Sequence, residues 1–100
     1  DHKDFIIQQE IGKSSWFGFS LIVRKNSKYT RSLLLKKLNS LGFECRPIVA
    51  GNFVKNKVFK YFNSSIFGKL KNAEYVHKNG IYIGNHSHSL LRAIDALKKI

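Results

Sequence analysis

One hundred residues, 43% hydrophobic and 13% aromatic, make one domain with a core of its own and exclude a disordered tail. Eighteen Lys and Arg against six Asp and Glu give a net charge of +12, spread over both halves of the chain, so no basic tail stands apart from a neutral body. A single cysteine, Cys45, excludes a disulfide framework or a cysteine-based zinc site, and no apolar run approaches the roughly 20 residues that span a bilayer.

Phe5-Ile6-Ile7 reads as a short lead-in strand within polar residues 1–15. Trp16 to Arg24 is the first clear strand, rich in aromatic and β-branched residues. Alternation puts Phe17, Phe19, Leu21 and Val23 on one face and Trp16, Gly18, Ser20 and Ile22 on the other. Thr30 can cap a helix from Arg31 to Leu41 with Leu34, Leu35, Leu38 and Leu41 inward, and Gly42 suits its C-terminal end. A second strand follows over Phe43–Ala50 and is expected to return beside the first. The only proline, Pro47, confines that strand to an edge.

Gly51 breaks the strand, and Asn52 can cap a short helix from Phe53 to Phe62 with Val54, Val58, Phe59 and Phe62 inward. Asn63 to Asn72 reads as a loop. Gly80–Gly84 is extended, and a last helix runs from about Ser89 to Ile100 with Leu90, Leu91, Ile94 and Leu97 buried. The expected class is a small α/β (α+β) domain, a short sheet with helices packed on one face.

The basic balance is compatible with a phosphate-rich partner, and aromatics interleave with lysines over Lys55–Phe62, yet no nucleic-acid motif is present. His86 and His88 lie two apart with no carboxylate near them, which is too little for a metal site. Cys45 shares a strand face with Phe43 and Pro47 and reads as core. Paired carboxylates at helical spacing and glycine-rich phosphate loops are lacking. The stretch from Arg46 to Phe53 is more informative. There a strand ends, a glycine permits close backbone approach, and free N–H groups at a helix start favour an anion beside the Arg46 fork.

Four pieces occur in order: Ser15-Trp16-Phe17-Gly18-Phe19, Glu44 to Phe53, Asn72 to Gly80, and Ile83-Gly84-Asn85-His86. Together they resemble the C-terminal part of the DegT/DnrJ/EryC1/StrS family of vitamin-B6-dependent enzymes acting on nucleotide-linked sugars. The Arg-Pro…Gly-Asn-Phe and Ile-Gly-Asn-His pieces are most similar to its 3-dehydratase branch, which removes the C3 hydroxyl of a GDP- or CDP-linked 4-keto-6-deoxy sugar. The aminotransferase branch is the alternative, and a stand-alone basic nucleic-acid-binding module is the rival from another class.

The resemblance implies a fold of aspartate-aminotransferase type, of which residues 1–100 would be the small C-terminal domain. A large domain, missing from this chain, would bind most of the pyridoxal or pyridoxamine phosphate. The chain starts at Asp1 and has no methionine, and it reads as a piece of a longer cytoplasmic protein. The resemblance implies a homodimer when that protein is whole and no activity for the fragment alone. The resemblance gives Arg46 to the diphosphate or sugar, and Asn52, Phe53 and His86 to the substrate pocket. Trp16 and Phe17 would pack against the large domain. Lys78 departs from the pattern, standing where an acidic residue is usual.

Overall fold

The computed structural model describes residues 2–100. Four strands form one antiparallel sheet: β1 (Phe5–Ile7), β2 (Gly18–Val23), β3 (Cys45–Pro47) and β4 (Gly80–Gly84), in the order β1-β2-β4-β3. The register sets Phe5 opposite Val23, Leu21 opposite Ile81, Phe19 opposite Ile83 and Cys45 opposite Ile83. Paired residues share a face, so this pairing collects the apolar side chains on one side of the sheet.

That side is covered by α1 (Arg31–Ser40) and α3 (Leu91–Lys98), with α2 (Lys71–Asn79) placed elsewhere. Leu34 and Leu38 of α1 and Leu97 and Ile100 at the end of α3 complete a core with Phe5, Leu21, Val23, Ile81 and Ile83. Helix α1 begins as its sequence dictates, with Thr30 Oγ1 accepting the Leu33 N–H at 3.3 Å, and Gly42 follows it at φ +84°. Beneath the β2–α1 turn, Asp4 is buried. Burial raises its pKa, but hydrogen bonds from the Lys28 N–H and the Ser27 hydroxyl outweigh this and hold the carboxyl below its usual range.

Several expectations are corrected. The second strand does not return beside the first: β3 pairs with β4, which lies between it and β2. It is also shorter than expected, three residues ending at Pro47, whose missing N–H suits the edge. The helix expected over Phe53–Phe62 is two short 3-10 turns, Phe53–Lys55 and Lys57–Tyr61, with none of their residues fully buried. Phe53 instead packs at the surface against Phe59 (6.2 Å) and Phe62 (5.9 Å). Part of the expected loop and the stretch after it form α2, which starts from Leu70 at φ +45° without a side-chain cap. In α3, Leu91 and Ile94 are exposed, while Ile100 beyond the helix turns inward.

Helix α2 stands against the second face of the sheet. A Cβ on Gly80, on the Ile22 side by register, would lie 2.5 Å from the Val76 carbonyl oxygen and 2.6 Å from Ile48 Cδ1. The absent side chain is what admits the helix end so close to the strand. Helix and strand are further tied by the Tyr75 hydroxyl, which donates to the Val23 carbonyl at 2.7 Å.

Candidate functional site

The face of the sheet opposite the core carries Gly18, Ser20, Tyr82, Gly84 and Arg46, by the pairings Gly18–Gly84, Ser20–Tyr82 and Arg46–Tyr82. The Tyr82 ring lies across Gly18, where any Cβ would collide with it. The Arg46 guanidinium sits over that ring, 5.4 Å from its centroid, and Phe17 packs against it at 6.4 Å. The guanidinium is exposed and stacked and pairs with no carboxylate among the described residues, so its donors remain available. The Tyr82 hydroxyl is buried without a hydrogen-bond partner. Leaving such a group unpaired costs about 1–3 kcal/mol, which a ligand or a covering segment with a polar group would recover.

Phe17 does not lie on the core face, against the alternation expected for it. Phe17 lies before the start of β2 at Gly18 and follows Trp16 at φ +50°, so the strand's alternation does not extend to it. Trp16 thus packs toward Phe19 (6.4 Å) on the apolar side, and Phe17 reaches Tyr82 on the other, 92% exposed. The kink is held from β4. Asn85 Nδ2 donates to the Trp16 carbonyl at 2.7 Å and to the Ser15 carbonyl at 3.4 Å, while Asn85 Oδ1 accepts the His86 N–H. His86 is exposed and stacks on His88, 5.0 Å between ring centres.

The other two sequence candidates fall elsewhere. Asn52 is 6% exposed and donates to Glu74 Oε2 on α2 at 3.1 Å, making no side-chain cap at Phe53. Gly51 lies against α2 so closely that a Cβ would be 2.6 Å from the His77 backbone. The Asn52 hydrogen bond is the largest influence on Glu74. With it, Lys78 (3.3 Å) and Lys55 (3.5 Å) hold this carboxyl below its ordinary value. The unexpected Lys78 thus has an acidic partner one helical turn away. The anion site expected at Asn52–Val54 is not built, because a three-residue 3-10 turn has neither the dipole nor the row of N–H groups of a helix start. Sequence candidates therefore divide into Arg46 and His86 near the Gly18–Gly84 end, and Asn52 and Phe53 beside α2. Tyr82 is not among the sequence candidates, because its place over Gly18 depends on the pairing of β2 with the distant β4.

An apolar cleft of about 490 Å³ opens between α3 and the core face, lined by residues including Ile7, Trp16, Phe19, Phe43 and Ile94. Its polar groups are few and mostly engaged. Asn85 is spent on the Trp16 loop, and His2 Nδ1 accepts the Asp4 N–H. Burial lowers the His2 pKa below the usual imidazole value. Cys45 packs against the core, its thiol pushed up by burial and directed at Asn39 Oδ1 (3.5 Å), which is the opposite of an activated nucleophile. Among the described residues no group of three His, Cys, Asp or Glu could hold a metal ion, and no helix is long and apolar enough to cross a membrane.

A four-stranded antiparallel sheet with two helices on one face, and α2 beside an exposed arginine on the other, matches the C-terminal part of a solved fold-type-I pyridoxal-phosphate enzyme. The chain is homologous to that part of 3-dehydratases in the DegT/DnrJ/EryC1/StrS family. It is 50% identical over its whole length to a GDP-4-keto-6-deoxy-D-mannose 3-dehydratase of Escherichia coli, and 51% identical over 99% of its length to one of Yersinia pseudotuberculosis. It spans about a quarter of those relatives, 26% and 25%. The solved E. coli dehydratase with bound hydrated PLP superposes with a TM-score of 0.89, at 51% identity, over 99% of this chain and 26% of that one. A variant of the dehydratase with bound GDP-perosamine gives the same score and coverage. No family model matches the chain.

Neither the cleft nor the sheet face around Arg46 by itself fits pyridoxal phosphate. The cleft is lined almost wholly by carbon and lacks the cluster of donors a phosphate requires, and on the open face Arg46 is a single cation.

Proposed function

We propose that this chain is the C-terminal domain of a longer enzyme that removes the C3 hydroxyl from a GDP-linked 4-keto-6-deoxy sugar, with Arg46 and His86 turned to the substrate. The observation that carries the reading is identity at half of all positions, over the whole chain, to 3-dehydratases whose structures superpose with it at 0.89. The site supports it too. Arg46 presents a guanidinium held by stacking on Tyr82, so fewer rotamers are lost when it takes a diphosphate or a sugar hydroxyl.

Asn52 acts as a positioning residue through Glu74 and α2, and Phe53 contributes an aromatic wall beside it. Phe17, Ile11 and Phe67 are almost wholly exposed, and the cleft beneath α3 is open, which suits a surface that the large domain covers. The cofactor of the relatives would then sit in that large domain, outside these residues. The whole protein would work in the cytoplasm as a homodimer.

The test is a chimaera in which residues 1–100 replace the matching quarter of the E. coli relative. Folded chimaera should catalyse 3-dehydration, and Arg46→Lys within it should raise KM roughly tenfold or more by breaking the bidentate fork. A folded chimaera that binds cofactor yet catalyses no 3-dehydration would count against the reading. Residues 1–100 alone should give no turnover.

A further inference from the structure

A polar groove of about 550 Å³ lies away from Arg46, between the β2–α1 turn, the first turn of α1 and the last turn of α2. Five cations line it, Arg24, Lys25, Lys28, Arg31 and Lys78, and no carboxylate does. Three of them are anchored rather than loose. Arg31 Nη1 donates to the His77 carbonyl at 2.6 Å, Arg24 Nε to the His2 carbonyl at 3.1 Å, and Lys28 Nζ to the Ile100 carbonyl at 3.0 Å. Each guanidinium keeps further N–H donors after that one bond.

Lys25 is exposed over the Tyr75 ring. Lys78 shares the single charge of Glu74 with Lys55, so the groove keeps a positive excess. Helix α1 adds two donors. Thr30 takes up the N–H groups of Leu33 and Leu34, and those of Arg31 and Ser32 have no intrahelical partner. Asp4, buried beneath Ser27 and Lys28, and Glu74 beside Lys78 offset part of this charge, and the positive excess that remains is eased by an added anion.

We propose that this groove binds a diphosphate group, held by the Arg31 and Arg24 forks with Lys25 and Lys78 closing over it. The inference is independent of the dehydratase reading, since it uses none of Arg46, Asn52, Phe53 or His86. It also gives a use to part of the lysine excess and to the departure at Lys78.

The probe is inorganic pyrophosphate, titrated at physiological salt into the 15N-labelled 100-residue chain. The amides of Lys25, Arg31 and Ser32 should shift together and saturate. Lys25→Gln with Lys78→Gln should weaken binding roughly tenfold, whereas Lys57→Gln with Lys60→Gln, the same loss of charge on the second 3-10 turn, should not. If the first pair impairs folding, Lys25→Gln alone, at an exposed position, should still weaken binding measurably. Shifts that never saturate, or equal weakening by both pairs, would overturn the proposal. GDP moving the same amides would identify a nucleoside diphosphate as the source. Pyrophosphate moving them while GDP does not would identify the free anion.

Discussion

Two Gly-Asn pairs occur in this chain, Gly51-Asn52 and Gly84-Asn85, and they do opposite work. At the first, there is no room for a Cβ against the His77 backbone, and Asn52 is buried on Glu74. At the second, a Cβ would meet nothing within 4 Å, and Asn85 is exposed, its amide holding the Trp16 loop in place. One dipeptide joins a helix to the body of the domain. The other positions a loop whose aromatic side chains reach outward. What a motif does is decided by what the fold brings to it, and here only the second pair faces outward to where a partner domain or ligand would lie.

The contrast is sharpest in Gly51→Ala against Gly84→Ala. The first should lose about 1–3 kcal/mol in urea unfolding, because the clash is with backbone that cannot give way. The second should stay within about 0.5 kcal/mol. Equal losses would break the comparison. Next comes Asn52→Ala, which should cost about 1–2 kcal/mol by removing the charge-assisted hydrogen bond that the buried Asn52 amide donates to Glu74. Asn85→Ala should cost less, and should show instead as a change in Trp16 fluorescence.

A smaller effect follows from Glu74. Its carboxyl is depressed in the folded state below its ordinary value of 4.5. It therefore contributes stability that is fully present above about pH 4.5 and is lost as the pH falls through the folded value. Asp4 adds a loss of the same sign just below. Urea midpoints measured from pH 6 down to 3 should fall, and less steeply in Asn52→Ala, where the leading hydrogen bond to Glu74 is gone. Smallest of all is Phe17→Ser, nearly neutral for unfolding of the isolated chain. It should reduce self-association in sedimentation runs, as expected for an apolar side chain that awaits a cover.

Local signals were legible and distant ones were not. Helix α1 could be read because Thr30, the leucine stripe and Gly42 are all near in sequence. The place of β4 between β2 and β3 could not, since it depends on pairing between remote segments. Helix α2 escaped because it begins at a left-handed leucine with no capping side chain and half-buries its apolar residues. Phe17 was assigned to the wrong face because alternation assumes an unbroken strand, and the turn at Trp16 breaks it. Arg46 and His86 were legible as candidates through a family likeness. That the Asn52 amide turns to Glu74 was not, because the acceptor arrives from a helix not seen in the sequence.

The central position of β4 has a consequence for synthesis on the ribosome. Strands β1 and β2 emerge well before β4, with the second edge of β2 open. That edge must wait for Gly80–Gly84, about 57 residues after Val23. During that interval the nascent strand offers a sticky, unpaired edge to its neighbours. Chaperone demand for this domain should therefore track the pace of translation between the two strands rather than the stability of the finished fold.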